Sequence, residues 1–370
     1  MISFYNIFKH NYTNNIIFFN MALKIIKYLN YIPCLKKKVE GKTSSIVIGN
    51  TFISESTKLG ENVIVRGDVK KIYIGKNCFL KNRVTIHVAS ELQGTEIGNN
   101  CIIDEYSIIH ACQLGNNVLI GSNSVVMDEG SLGNNVVVTN NSLVPPGKKF
   151  PSNCLIGGSP AKIIKKINKN DYLNFKRDIL LKEKSSFFYN DFNYRNFLIS
   201  NNIKKKIVDC PNNCFVAFDA SVKQKVIMGQ KSSIWYSVAI FSTKKNGKLL
   251  LGNGSNIQDN SIINTLGEII KIGKRVTVGH NVIISGKTEI NDDAVIGMGS
   301  ILEKNCVIGN NSFVGANSYV KEGTIIPDST IFAGKPARFF RNVNQEEKIF
   351  FKKGQKIYEN LAKEYTNEFI

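Results

Sequence analysis

The sequence lacks any apolar run that approaches the roughly 20 residues needed for a membrane-spanning helix. It also lacks a CxxC pair among its eight cysteines. Five cysteines instead fall in or beside short repeats, where a small apolar residue is expected, so we expect buried free thiols in a reducing compartment. These five are Cys78, Cys101, Cys112, Cys154 and Cys306.

Acidic residues are missing from residues 1–39, which contain six lysines. The net charge of +19 comes largely from this segment and from the lysine-rich residues 162–206, whereas the Gly-Asn-rich blocks are closer to neutral. No basic stripe is interleaved with aromatic residues, so we expect no nucleic-acid partner. A solvated or membrane-facing basic surface, in contact with anionic lipid, fits this distribution better.

The N-terminal residues 1–45 form a basic extension. Residues 1–20 are rich in Asn and free of acid, which is typical of a mitochondrial transit peptide, although such peptides usually carry Arg; a disordered basic tail is the alternative. Residues 21–38 predict an amphipathic helix whose apolar face contains Leu23, Ile25, Ile26, Leu29 and Ile32.

A six-residue repeat dominates the rest of the chain, as in IGNNCI at 97, LGNNVL at 114, VGHNVI at 278 and IGNNSF at 308. Aliphatic residues recur 18 apart, as at Ile272, Ile290 and Ile308, so three repeats make one triangular coil. Gly and Asn suit the left-handed conformations at its corners. The fold class is therefore all-β with flanking α-helices, built as left-handed parallel β-helix prisms.

Two such prisms are predicted, at about 46–160 and 214–338. Each ends in a similar phrase, IGGSPAKIIKKI or FAGKPARFFRNV, and then continues into a lysine-rich helical stretch at 165–190 or 344–365. We therefore divide the chain into a first β-helix domain with its trailing helix at 46–190, a linker at 191–213, and a second β-helix domain with its C-terminal helix at 214–370.

Three of the four histidines fall at defined phases of the coils. His87 and His110 each lie 13 residues after a coil start, Ile74 and Ile97, so they stack on successive coils. Adjacent coils are about 4.8 Å apart, which lets two imidazoles reach one metal ion. His280 lies 8 residues after Ile272 and therefore points away from that phase of its own prism.

The first prism has Glu105 at the phase of His280, and the second has Asn264 and Ser285 at the phase of His87 and His110. Each prism thus keeps half of a composite site. His87, His110 and His280 predict a three-histidine zinc site with an open fourth position, suited to water activation; iron and cobalt remain alternatives. A ring of first prisms would instead offer His87, His110 and Glu105.

These motifs resemble the γ-class carbonic anhydrases over most of 46–365, in two copies. The first copy carries VIVRGDV, VTIHVA, IIHACQLG and GGSPAK, and the second carries SSIWYSVAI, NIQDNSII, VTVGHNVI and GKPARFFRNV. The C-terminal phrase is most similar to the mitochondrial branch associated with respiratory complex I. The resemblance implies left-handed β-helices that assemble as trimers with zinc between subunits.

Carried over by motif, the family's zinc ligands correspond to His87, His110 and His280, and its interface pair corresponds to Arg66 and Asp68. A Gln-Asp pair near the zinc is kept as Gln258 and Asp259 in the second copy, but reads Lys81 and Asn82 in the first. A lysine near the metal would either disfavour zinc binding by its charge or have its own pKa lowered, and this bears on turnover more than on metal binding.

Three functions follow. The first is a zinc enzyme that hydrates CO2, the second is an inactive scaffold, and the third, less favoured, is a hexapeptide acyltransferase. Two prisms do not close a three-lobed ring, so a third similar lobe, from another chain or a second copy, is an expected partner. A mitochondrial location and a mitochondrial membrane complex follow from the resemblance, with another organelle or the cytoplasm left open.

Overall fold

The computed structural model describes residues 16–19, 23–88, 93–181, 208–244 and 246–369. These residues form two compact units, divided between residues 183 and 184. Most of the predicted transit peptide, all but residues 16–19, and most of the predicted linker lie outside the described residues. No helix in the described ranges is both long and apolar enough to cross a membrane.

The first unit is a parallel β-helix whose short strands stack into ladders. Two long strands, Ile46–Ile53 and Ile64–Ile74, run around a corner and join two faces into one sheet. One of these faces continues with Thr85–His87, Ile108–His110, Val125–Val126 and Leu143–Val144, and the other with Thr95–Ile97, Gln113–Leu114, Ser131–Leu132 and Lys149–Phe150. The third face contains Glu40–Gly41, Lys58–Leu59, Phe79–Leu80, Ile102–Ile103, Leu119–Ile120, Val137–Val138, Cys154–Gly158 and Ala161–Lys166.

The second unit repeats this architecture with three separate sheets. The first contains Val208–Asp209, Lys225–Met228, Lys248–Leu251, Ile269–Ile272, Glu289–Ile290, Val307–Ile308 and Ile325–Ile326. The second contains Phe215–Val216, Ser233–Ile234, Asn256–Ile257, Thr277–Val278, Val295–Ile296, Phe313–Val314, Thr330–Gly334 and Ala337–Asn342. The third contains Ser221–Val222, Ala239–Phe241, Ile262–Asn264, Ile283–Ser285, Ile301–Leu302 and Tyr319–Val320.

The ladders confirm the predicted all-β solenoid and its period. Leu119 pairs with Val137, and Ile290 with Ile308, each 18 residues further along the chain. The aliphatic residues of each coil point inward into a continuous core. The five cysteines assigned to the repeats are buried and unpaired, as predicted.

Asparagine makes one corner of the first unit. Asn77, Asn100, Asn117, Asn135 and Asn153 all have positive φ, between 56° and 61°. Each side-chain amide donates to the next in the row, with N···O distances of 3.3, 3.2, 2.9 and 2.8 Å. The ladder hydrogen-bonds the side-chain amides of asparagines whose backbone is left-handed, a conformation that few residues other than Asn and Gly tolerate.

One helix follows each β-helix. Helix α1, Lys169–Leu181, buries Tyr172 against the third face of the first unit. Helix α2, Gln345–Phe369, buries Tyr365 in the second unit, 5.1 Å from the ring of Trp235. A reciprocal capping pair starts each helix: Asn168 with Asp171, and Asn344 with Glu347. Both predicted helices are present, with later starts than the sequence indicated.

The amphipathic helix predicted at 21–38 is wrong for its described residues. Leu23–Ile26 is a strand that pairs in parallel with Ile46–Ile53, and it also pairs with the strand Ile16–Phe19. Cys34–Leu35 is a second short strand on Ile46–Ile53. Without these strands, the edge of the first coil would leave a row of backbone N–H and C=O groups unpaired. The hydrogen bonds gained by covering this edge outweigh the helical preference of the segment.

The asparagine corner can be tested by replacing Asn117, whose φ is 56°. Asn117→Ala should lower the free energy of unfolding by about 1–2 kcal/mol, because alanine has no local hydrogen bond to offset the left-handed conformation. Asn117→Gly loses the same ladder bonds without the steric strain and should be less destabilised. Urea denaturation followed by circular dichroism measures both, and equal loss in the two variants would contradict the strain argument.

Candidate metal centre

A buried chain of charges begins in the long strand Ile64–Ile74 of the first unit. Arg66 and Asp68 are two residues apart, so their side chains lie on the same side of the strand, and both are fully buried. The guanidinium of Arg66 donates to Asp68 Oδ2. The other carboxylate oxygen, Oδ1, lies 3.1 Å from His87 Nε2. Asp68 therefore joins the buried arginine to the first candidate ligand.

His87 and His110 are stacked, as their phase in the coils predicts. They are direct partners in the ladder between Thr85–His87 and Ile108–His110. His87 Nδ1 lies 3.3 Å from His110 Nε2, and the two residues are only 2% and 8% exposed. Two imidazole nitrogens thus face each other in a buried position.

Carboxylates fix which nitrogens face each other. A carboxylate can only accept, so Asp68 holds a proton on His87 Nε2, and Asp128 Oδ1 holds one on His110 Nδ1. In the neutral rings, His87 Nδ1 and His110 Nε2 then present lone pairs to each other. A metal with tetrahedral bonds of about 2.0–2.1 Å separates two ligand nitrogens by about 3.3–3.4 Å. The observed 3.3 Å therefore fits a shared metal ion.

The sequence analysis did not single out Asp128. It lies 18 residues after His110, one coil further along the chain, and this spacing was the available signal. Its negative charge also affects Cys112, whose thiol pKa is raised mainly by burial and further by Asp128. The carboxylate therefore belongs to the electrostatic surroundings of His110.

His280 is the corresponding buried imidazole of the second unit. Its Nδ1 lies 3.2 Å from Asp259 Oδ2, and its Nε2 lies 3.3 Å from the hydroxyl of Tyr358. Asp259 is itself held by the backbone N–H of Tyr236, which donates to Oδ1 over 3.0 Å. The negative charge of Asp259 beside Nδ1, rather than a hydrogen bond of good geometry, favours a proton on that nitrogen and a lone pair on Nε2, which Tyr358 contacts.

Helix α2 carries Tyr358 to His280, and sequence reasoning missed this residue. The ring of Tyr358 meets Trp235 edge to face at 5.4 Å. Trp235 is fully buried and donates from Nε1 to Ser233. A helix periodicity alone gives no sign that one tyrosine reaches a histidine 78 residues earlier.

The remaining residues of the predicted surroundings have other partners. Gln258 donates to Asn256 over 3.2 Å, and Asn264 accepts from the backbone N–H of Thr243 over 3.3 Å. Lys81 pairs with Asp104 at 3.0 Å and donates to the carbonyl of Ile179 in α1. The charge of Lys81 is therefore compensated by Asp104, which weakens the expected penalty on a metal.

Glu105 accepts a hydrogen bond of 2.8 Å from Asn82, at the phase that His280 and Asp259 occupy in the second unit. Three histidines are candidate metal ligands: His87 and His110 in the first unit and His280 in the second. All three are buried, and each has a carboxylate at one ring nitrogen. Carboxylate–histidine pairs of this kind are typical of metal ligands.

Comparisons with known proteins agree with the hexapeptide-repeat fold. The family model described as the GMPPB C-terminal domain matches residues 47–157. The model described as the hexapeptide repeat of succinyl-transferase matches residues 269–304 and 305–331.

Three relatives define the family more closely. Protein YrdA of Escherichia coli is 31% identical over 41% of this chain and 92% of its own length. A probable carbonic anhydrase of Methanocaldococcus jannaschii is 28% identical over 40% of this chain and 91% of its own. Mitochondrial gamma carbonic anhydrase 2 of Arabidopsis thaliana is 38% identical over 38% of this chain, but the match spans only about half, 52%, of that protein.

The chain therefore belongs to the γ-carbonic anhydrase-like family of hexapeptide-repeat proteins, as its motifs predicted. A match that covers 92% of a relative uses only 41% of this chain, which leaves room for the second β-helix.

The buried Arg66–Asp68 pair generates a stability prediction. Asp68→Asn leaves the guanidinium without its counter-charge and should lower the free energy of unfolding by about 3–5 kcal/mol. Replacing both residues, as Arg66→Met with Asp68→Asn, removes the uncompensated charge and should cost less than the single change. Urea denaturation compares the variants; a double variant less stable than Asp68→Asn would contradict the ion-pair account.

Proposed function

We propose that this chain is a γ-carbonic anhydrase-like metal protein in which His87, His110 and His280 hold one zinc ion between its two β-helix domains. The observation that carries the proposal is the 3.3 Å approach of His87 Nδ1 to His110 Nε2, with a carboxylate behind each ring. The sequence supplies the third ligand, because His280 stands at the phase that faces a neighbouring prism.

The chain's own residues set up the donor atoms. Asp68, anchored by Arg66, holds the proton of His87 on Nε2 and leaves Nδ1 free to bind a metal. Asp259 favours the opposite tautomer for His280, with the proton on Nδ1 and Nε2 free to bind a metal. Three neutral imidazoles with an open fourth position suit zinc. A bound zinc ion supplies Lewis-acid chemistry that makes water nucleophilic near neutral pH, as hydration of CO2 requires.

The residues around the donors define access. Tyr358 and Trp235 cover His280 from the side of α2, and the Tyr358 hydroxyl donates to Nε2 when no metal occupies that nitrogen. The buried aromatic cover limits water at this end of the site, so charges there interact more strongly than in solution. CO2 is apolar and suits such an environment.

Metal content tests the ligand set. The purified chain should contain about one zinc per chain by mass spectrometry, and His280→Ala should abolish this binding. His10→Ala replaces the remaining histidine and is the matched control, which should retain the metal.

Retention of zinc by His280→Ala would instead support the alternative set of His87, His110 and Glu105. The variant Glu105→Gln would then lose the metal, whereas it should keep it in the proposed site. Absence of metal from the unsubstituted protein would refute the zinc proposal.

Catalysis is tested separately by stopped-flow hydration of CO2 with the zinc-loaded protein. We expect a rate above the uncatalysed rate that falls to background in His110→Ala. A zinc-containing protein without activity would support the scaffold function, which is favoured by one observation: the second unit carries Asn264 and Ser285 where the first has its histidine pair.

The assembly and location complete the proposal. A third β-helix lobe, from another chain or a second copy, closes the ring, and the basic segments face an anionic membrane surface of a mitochondrial complex. The mitochondrial relatives in Arabidopsis support this location. An acyltransferase is the competing class, supported by the succinyl-transferase repeat model, and binding of acetyl-CoA would favour it.

A further inference from the structure

Asp128 contacts the proposed metal ligand His110 from the next coil, and it differs from Asp68 in being partly exposed. Its Oδ1 accepts a hydrogen bond from His110 Nδ1, and its side chain is 21% exposed. Asp68, the carboxylate on His87, is fully buried and paired with Arg66. Asp128 therefore contacts its histidine from the more exposed side of the site.

The contact selects one of two chemically different forms of His110. A neutral imidazole carries its proton on Nδ1 or on Nε2, and the partner of one nitrogen decides which form is present. With the proton held on Nδ1 by Asp128, the Nε2 lone pair points at His87 Nδ1, 3.3 Å away. With the proton on Nε2, that nitrogen could not bind a metal.

The duplicated unit offers an internal comparison. Asp128 lies 14 residues after the coil start Leu114, and the same count from Ile290 gives Lys304. The second unit thus has lysine in the place of Asp128, just as it has Ser285 in the place of His110. Lys304 pairs with Glu322 at 3.2 Å instead. The carboxylate accompanies the histidine and is absent where the histidine is absent.

We propose that Asp128 is a positioning residue that fixes His110 in the Nδ1-protonated form and so determines the metal affinity of the site. The second half of this inference rests on the proposed zinc function, whereas the first half concerns the metal-free chain. Loss of an outer carboxylate of this kind typically weakens metal binding about 10–100-fold.

The test compares Asp128→Asn with Glu129→Gln. Glu129 is the exposed neighbour of Asp128, so each variant removes one negative charge from the same corner, but only Asp128 touches a histidine. Chelator competition should show a zinc dissociation constant raised about 10–100-fold in Asp128→Asn. Glu129→Gln should stay close to the unsubstituted protein, and Asp128→Glu, which keeps the carboxylate, should recover part of the loss.

A second readout needs no metal. The chain has four histidines, so 15N-histidine labelling and long-range 1H–15N correlation spectra can report each ring, with His110 assigned from a His110→Gln sample. We expect the Nδ1–H form for His110 in the metal-free protein and in Glu129→Gln, and its loss in Asp128→Asn. A merely structural role of Asp128 would leave this spectral signature unchanged.

The outcomes separate the two proposals. Equal zinc affinity in Asp128→Asn and Glu129→Gln, with zinc bound by the unsubstituted protein, would overturn the role of Asp128 and leave the proposed function intact. Failure of the unsubstituted protein to bind zinc would refute the proposed function and the affinity role together. An Nε2–H form of His110 in the unsubstituted metal-free protein would overturn the positioning role whatever the metal content.

Discussion

The parallel ladder between successive coils is the constraint on which the rest of each unit depends. It places a residue directly beside the residue of the same phase in the next coil, at the spacing of hydrogen-bonded strands. Aliphatic residues then stack into a core, the corner asparagines stack into a row of amide bonds, and His87 stacks on His110. One geometric rule thus produces the stability of the unit and the proximity of its candidate ligands.

The same ladder explains why the buried histidines come with acids. A stacked imidazole buried in a β-helix must satisfy two ring nitrogens, and the neighbouring coils provide the nearest positions for a partner. Asp68, Asp128 and Asp259 fill these positions for His87, His110 and His280. At matching coil positions of the other unit, where the histidine is replaced, the three acids are replaced by Thr243, Lys304 and Asn82.

Sequence periodicity predicted the β-helix, its coil length, the trailing helices and the stacking of His87 on His110, because each follows from local spacing alone. It failed at Leu23–Ile26, where a segment with a helical pattern forms a strand that pairs with the edge of the first coil. It also missed Tyr358, since helix packing brings residues together without a fixed interval in the sequence. Lys81 was placed near a metal by motif, whereas Asp104 and the end of α1 determine its position.

The cost of burying polar groups explains why, in the proposed function, each copy carries only part of the ligand set. A buried histidine–aspartate pair without a bound metal keeps two polar groups away from water. Such a pair contributes little to the stability of a fold. In the first unit, Asn82 stands at the position of Asp259 and Glu105 at the position of His280. Asn82 donates a hydrogen bond to Glu105, so these two polar groups satisfy each other without a metal. The second unit similarly holds Asn264 with local backbone donors. Under the proposed function, each copy can therefore lose the half of its ligand set that it does not use.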